Sequence, residues 1–380
     1  MKRIFCLCLT VILLAGAVPF WGSAAPEVAA KSALLMDVAT GTVLYEQNPH
    51  EKLPPASVTK VMTMLLIMEA IDDGRLKWED TVTASETAAA KGGSQIYLKE
   101  GETMTVKDML KSIAVSSAND CACAMAEHLC GSEDAFVEKM NQRAKELGME
   151  DTHFVNCTGL DDGPEGKEHL TSAHDIALMS RQLLKYHPQI TEYTTIWMDT
   201  VRSGQFGLSN TNKLVRFYNG ATGLKTGFTA AAGYCLSASA QREELQLIAV
   251  VMGSETSKDR FNACKALLDF GFANYALAQP EIKTLSVPVK LGQAKTVNAV
   301  PGQDSQLLIE KAQKGSISVT TELADTVTAP VSKGQRLGTT TIRVGEQILA
   351  QIPLVAENTV QKRSFGELFL DMLKSLCMAK

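Results

Sequence analysis

Apolar residues fill the stretch from Val61 to Ile71 almost without a break, and their spacing is that of a helix. Val61, Met64, Leu65, Met68 and Ile71 recur every three or four positions while Leu66 and Ile67 fill the gaps, which predicts a helix buried nearly all round. Pro54 and Pro55 hold the preceding chain extended, so the helix can begin close to Ser57, and Gly74 after Asp72-Asp73 supplies a stop. Thr105 with Asp108 reads as a capping box opening a helix to Val115; Asp120 to Leu129 is a small-residue helix closed by Gly131. Ser132 to Gly148 is amphipathic helix, and Cys157 to Pro164 is a turn-rich loop. Ser172 with Asp175 is a second capping box, on a helix carrying His174; both His174 and Asp175 read as structural because the cap accounts for the carboxylate. Phe261 to Phe270 is a further helix, with Gly271 as its expected cap.

Elsewhere the period drops to two. Ser32 to Asp37 and Thr42 to Glu46, separated by Ala39-Thr40-Gly41, predict a hairpin at a sheet edge, and Leu224 to Phe228, Tyr234 to Ala240 and Leu245 to Met252 predict three more strands. The run Leu247 to Met252 is continuously apolar, as in a strand covered on both faces. The class is therefore α+β, with helices from the middle of the chain packed on a mainly antiparallel sheet built from its two ends. From residue 276 to 360 the texture turns β-branched: Gly338 to Val344 and Gln347 to Leu354 form a hairpin around Gly345-Glu346, and Gly315 to Thr321 is another strand of a small all-β domain. In the tail, 361–380, Phe365, Leu368, Phe369, Met372, Leu373 and Leu376 share one stripe of a helix whose other positions are mostly charged. It is too short and too charged to span a bilayer, leaving an in-plane membrane helix or packing on the β domain.

The amino terminus changes the picture of where the protein works. Met1-Lys2-Arg3, an apolar run over 4–18 and the small residues Gly22-Ser23-Ala24 read as a secretory signal peptide spanning 1–24, with a transmembrane anchor as the alternative; the apolar run is short for a span. Residues 25–275 then hold the first domain. A net charge of −5 gives no support for nucleic-acid binding, and 45% hydrophobic with 21% charged residues is ordinary for a globular protein. Of nine cysteines, Cys6 and Cys8 leave with the signal; Cys121, Cys123 and Cys130 lie on one predicted helix, too far apart along it to bridge one another, and most of the seven read as buried thiols. With no C-x-x-C pair and no H-E-x-x-H, no zinc or other metal site is expected.

Chemistry enters at the start of the buried helix. Ser57 and Lys60 are three residues apart and share a face, so the amine can approach the hydroxyl, and a buried amine is one whose pKa falls. Alone, this pair describes many capped helices that catalyse nothing. Two further motifs follow in order, Ser117-Ala118-Asn119 at the junction of two predicted helices and Lys225-Thr226-Gly227 on a strand, and each of the three patterns S-x-x-K, S-x-N and K-T-G occurs once. Ser117 by itself reads sooner as the N-cap of the helix after it than as a catalytic group.

With all three motifs present, the chain resembles the low-molecular-weight penicillin-binding proteins, serine-type D-alanyl-D-alanine carboxypeptidases, over nearly its whole length. The resemblance implies a penicillin-binding/β-lactamase-like first domain, a substrate that is a peptidoglycan stem peptide ending in D-Ala-D-Ala, β-lactam antibiotics as inhibitors, no cofactor, and peripheral attachment to the outer face of the cytoplasmic membrane. It implies that Ser57 attacks the penultimate D-alanine carbonyl, that Lys60 is its base with Lys225 as the second cation lowering its pKa, and that Ser117 relays protons while Asn119 orients substrate. The strand of Lys225, Thr226 and Gly227 would form the opposite wall, along which an extended peptide pairs. Backbone N–H groups of Ser57 and Phe228 would hold the oxyanion; several relatives have histidine where this chain has Phe228. Arg260, after Met252-Gly253-Ser254, matches the arginine that receives the terminal carboxylate, through a loose motif that equally fits a surface arginine. A β-lactamase shares the acylation machinery, but Ala118 stands where class A members have aspartate and no E-x-x-L-N stretch occurs. An inactive wall-binding scaffold would be expected to have lost a motif residue, and none is lost.

Overall fold

Five antiparallel strands form the central sheet: β1 (Ser32–Asp37), β2 (Val43–Gln47), β3 (Ala221–Thr229), β4 (Gly233–Arg242) and β5 (Leu245–Ser254), in the order β2-β1-β5-β4-β3. The computed structural model describes residues 25–161 and 165–370, so the signal segment and the last ten residues of the tail lie outside the described residues. As the periodicity predicts, the two ends of the first domain meet in this sheet, and β3 is left as one of its edges. The apolar run of β5 serves two cores. Ile248, Val250 and Met252 face the cluster built on the buried helix, whereas Leu247, Ala249 and Val251 face Phe261, Leu267 and Leu268.

The buried helix is α1 (Lys60–Asp72), preceded by a single 3-10 turn, Ala56–Thr59, that contains Ser57. Every residue from Lys60 to Met68 is buried. Each fully buried Leu, Ile or Met contributes roughly 1.5–3 kcal/mol, and this apolar surround accommodates one desolvated lysine at its end. Around α1 pack α2 (Val106–Ser116), α3 (Asn119–Cys130), α4 (Glu133–Glu146) and α5 (Ala173–Tyr186). Thr105 caps α2 by accepting from the Asp108 N–H at 3.1 Å, Ser132 caps α4, and Gly131 closes α3 with φ +83°. Ser172 caps α5, but the Asp175 carboxylate makes a different bond from the one its capping pattern suggests. It accepts from the Asp151 N–H and the Thr152 hydroxyl, tying a loop to the helix, so it is structural by another route.

On the far face α6 (Ser257–Asn274) runs longer than its apolar period predicts. Thr256 caps it, accepting from the Asp259 N–H, and Gly271 lies inside the helix rather than closing it. A Cβ at Gly271 would sit 2.5 Å from a Leu247 methyl, so the glycine serves close approach to the sheet. Beyond α6 comes a separate all-β domain. It contains β6 (Leu285–Lys290), β7 (Thr296–Pro301), β8 (Ile317–Leu323), β9 (Val327–Thr328), β10 (Arg336–Val344) and β11 (Gln347–Ala356), in the order β8-β10-β11-β7-β6-β9. The hairpin β10–β11 lies where its alternation predicts, whereas the stretch at Gly315 starts as a 3-10 turn, Lys311–Ser316, before β8 begins. Among the described residues the six cysteines are free; five are buried and Cys130 is half-buried.

Candidate active site

Ser57 is half-buried, three residues ahead of Lys60, which is fully buried. The Lys60 ammonium donates to Ser57 Oγ at 3.0 Å, to the Thr158 carbonyl at 2.7 Å and to Asn119 Oδ1. These three acceptors use all three of its protons. Burial lowers its pKa to about 7, against the opposing pull of Cys157 and Asp120. Of the two causes expected from the sequence, burial and a neighbouring Lys225, burial is the one that lowers Lys60. Lys225 is itself buried and held well below its ordinary range by burial, then by Lys60 and Arg260.

The second motif sits where helix packing dictates. Ser117 follows the last residue of α2 and takes φ +64°, and Ala118 holds the N-cap position of α3, so the serine does not cap the following helix. Ser117 Oγ is buried and has no hydrogen-bond partner among the described residues. A buried hydroxyl left unpaired costs about 1–3 kcal/mol, the kind of expense that accompanies a group kept for chemistry. Asn119 accepts from Lys60 and donates from Nδ2 to the Gly92 carbonyl at 2.7 Å, while its backbone N–H reaches the Ser94 carbonyl. Its side-chain oxygen is thus taken by Lys60 and one of its two Nδ2 protons by Gly92.

The third motif forms the facing wall. Lys225 donates to the Thr226 carbonyl at 2.9 Å, and Thr226 donates to the Thr211 hydroxyl at 2.7 Å. Gly227 passes so close to the turn before α1 that a Cβ would lie 2.5 Å from the Pro55 carbonyl oxygen and 3.1 Å from the Ser57 nitrogen. Only glycine lets β3 run against the serine's backbone there. Phe228 comes next, 54% exposed, its ring tilted on Tyr234 at 4.3 Å. Arg260, on the first turn of α6, is buried and not a surface arginine. It donates from Nη1 to the Gly227 carbonyl at 2.9 Å and to the Cys235 carbonyl at 3.3 Å.

The three motifs therefore meet at one place, with Lys60 on Ser57 and Asn119, Gly227 against the Ser57 nitrogen, and Arg260 behind the strand that carries Gly227. The turn-rich loop read from Cys157 onward supplies a further contact whose part in the site sequence reasoning did not assign. Asn156 Oδ1 accepts from the backbone N–H groups of Thr158 and Gly159, and this turn presents the Thr158 carbonyl to Lys60. An Asn two residues before Thr-Gly was the available signal for such an Asx turn. Among the described residues no cluster of three or more His, Cys, Asp or Glu side chains is arranged to hold a metal.

Comparison with known proteins bears on this geometry. The family model described as D-alanyl-D-alanine carboxypeptidase matches residues 21–256, and the one for the C-terminal domain of penicillin-binding protein 5 matches 274–362. The D-alanyl-D-alanine carboxypeptidase DacF of Bacillus subtilis (strain 168) is 45% identical over 343 residues, covering 88% of this chain and 87% of that one. Among solved structures, penicillin-binding protein 5 from Haemophilus influenzae is 30% identical with a TM-score of 0.77, over 89% of this chain and 99% of that one. Penicillin-binding protein D2 from Listeria monocytogenes, in its cefotaxime-bound form, is 34% identical with a TM-score of 0.60, over 65% of this chain and 98% of that one. A match over both domains, with the three motifs meeting in one cleft, leads to a plain conclusion: the chain belongs to the D-alanyl-D-alanine carboxypeptidase family.

Proposed function

We propose that the protein removes the terminal D-alanine from peptidoglycan stem peptides through an acyl-enzyme on Ser57, and that penicillin enters the same reaction. The observation that carries this reading is the contact between a half-exposed Ser57 hydroxyl and a fully buried Lys60 amine at 3.0 Å, with the amine brought to about 7. A neutral Lys60 takes the Ser57 proton as Oγ attacks the carbonyl of the penultimate D-alanine. The resulting oxyanion is held by the backbone N–H groups of Ser57 and Phe228. Collapse breaks the peptide bond, and the leaving D-alanine amine takes a proton from Lys60 by way of the unpaired Ser117 hydroxyl. Water then attacks the ester by the reverse path and frees the shortened peptide. With a β-lactam the same attack opens the ring, which stays attached.

Asn119 keeps the amine aimed at Ser57 and offers its spare N–H to the peptide. Substrate lies along the free edge of β3 as an added strand, with Lys225 and Thr226 toward its carboxyl end and Arg260 supplying remaining guanidinium donors to the terminal carboxylate. The chain divides accordingly into an export signal at 1–24, the chemistry in 25–275, a β domain from 276 and a membrane-surface helix at the end. The deciding experiment is mass spectrometry of the purified protein with penicillin and with a pentapeptide ending in D-Ala-D-Ala. Wild type should gain the penicillin mass on Ser57 and release D-alanine from the peptide, while Ser57→Ala does neither. Labelling at Ser117 instead would overturn the assignment.

A further inference from the structure

A buried polar relay outside the three motifs reaches the nucleophile's own turn. Ala56, just before Ser57, has φ +47°, which few non-glycine residues adopt and which persists only where the surroundings hold it. Thr59 Oγ1 donates to the Ala56 carbonyl at 2.8 Å, and Gly159 presses on the same group so tightly that a Cβ there would lie 1.9 Å from the oxygen. The Thr59 hydroxyl in turn meets His169 Nε2 at 2.8 Å, and on the other side of that ring the Val155 backbone N–H donates to Nδ1 at 3.2 Å. A ring nitrogen that accepts carries no proton, so the imidazole proton sits on Nε2 and is given to Thr59. Thr59 has a single proton and gives it to Ala56. The relay runs one way, from Nε2–H through the Thr59 hydroxyl to the Ala56 carbonyl.

That carbonyl matters because Ala56 C=O and Ser57 N–H belong to one planar peptide unit, pointing in opposite directions. Fixing the oxygen fixes the N–H. The same nitrogen lies beside Gly227, the residue before Phe228, whose N–H is the other donor of the proposed oxyanion site. The segment carrying His169 also grips the chain ahead of the turn. Thr171 and Leu53 exchange both backbone hydrogen bonds, at 2.8 and 3.0 Å, and Leu53 directly precedes Pro54-Pro55.

We propose that His169, acting through Thr59, is a positioning residue for acylation, a neutral imidazole that aims the Ser57 N–H at the developing oxyanion. This rests on Ser57 being the nucleophile. The ring is 1% exposed, with Phe154 against its edge; His153, Lys60 and Asp161 are the titratable groups that act on it. Burial, with His153 and then Lys60 adding to it and Asp161 opposing, holds its pKa to about 4, so the donor tautomer persists across the neutral range.

The test measures the limiting rate of Ser57 acylation by penicillin, and separately the non-covalent affinity, in wild type, Thr59→Val, His169→Ala and His169→Gln. Loss of one oxyanion donor lowers rates by about 10²–10³, so a donor merely misaimed should lower the limiting rate roughly 10–100-fold in Thr59→Val and His169→Ala with affinity little changed. His169→Gln, whose amide N–H can replace Nε2–H, should recover most of the rate. Folded Thr59→Val and His169→Ala proteins that acylate within about twofold of wild type would overturn the relay, as would a loss confined to affinity. Nitrogen NMR of the wild type decides the point even where a variant fails to fold: an Nε2–H signal that persists as pH falls to 5.5 supports the relay, and an Nδ1–H tautomer refutes it. Failure of wild type to label at Ser57 would instead refute the serine reading itself.

Discussion

Lys60 shows how burial can turn a poor base into a usable one. Its amine accepts a proton only when neutral, so acylation should rise with pH through about 7, where burial has brought it, and fall about tenfold per unit below. Lys60→Ala should fold and acylate at least about a hundredfold more slowly; a folded variant reacting at the wild-type rate would exclude the role. The same shift affects stability with a definite sign. Between about 7 and the ordinary lysine value of 10.5 the unfolded chain binds a proton that the folded one does not, so this residue's contribution to stability rises with pH across that window. Ser57 and Lys60 were legible in the sequence because a three-residue spacing on a helix is enough to bring them together. The Gly92 carbonyl was not, because a backbone group on a distant loop leaves no residue-type signature, and at Thr158 the sequence marks the Asx turn through Asn156 but not which side chain its carbonyl meets. The fate of Ser117 was open for a related reason: only the left-handed turn at the end of α2 decides that it does not cap the next helix.

At the level of elements, the cleft is a contact between the edge strand β3 and the turn before α1. Periodicity located both, since alternation marks strands and the 3.6 repeat marks helices. It missed the first turn of α6, where Thr256 with Asp259 is a polar start that an apolar pattern does not register. That turn carries Arg260, whose guanidinium packs over the rings of Phe261 and Tyr234 and clamps the Gly227 carbonyl. Charge-assisted pairing with a carboxylate is worth ~1.5–3 kcal/mol, so Arg260→Ala should lower turnover of peptides with a free carboxyl end by roughly one to two orders of magnitude. An amidated peptide should lose little. An equal loss on both would mean that the arginine acts only by holding β3 in place, and kinetics on the paired substrates would show it.

Across the whole molecule, the pattern also separates the domain that carries the motifs from a β domain that carries none, and leaves the tail as the part whose role depends on surroundings. The chain is tied to the β domain as far as Arg363: the Gln361 carbonyl accepts from Gln293, Lys362 bridges Gly292, and the Arg363 N–H reaches the Leu291 carbonyl. Immediately afterwards Ser364 and Glu367 form a capping box and residues 365–370 turn helical, with Phe365 84% and Leu370 57% exposed. Among the described residues no helix is long and apolar enough to cross a membrane. Exposed aromatics at the start of this helix, with Lys362 and Arg363 just ahead of it, suit the surface of an anionic bilayer, where attachment draws on both buried apolar area and charge. Ending the chain after Arg363 spares the backbone pairs of the β domain and should release the protein from anionic vesicles without changing the rate at which penicillin acylates Ser57. Replacing Leu368, Phe369 and Leu373 with Ser at full length should do the same, and added salt should weaken what binding remains. If the shortened protein sediments with the vesicles as strongly as the full chain, the tail is not the anchor and its apolar stripe packs against its own domain.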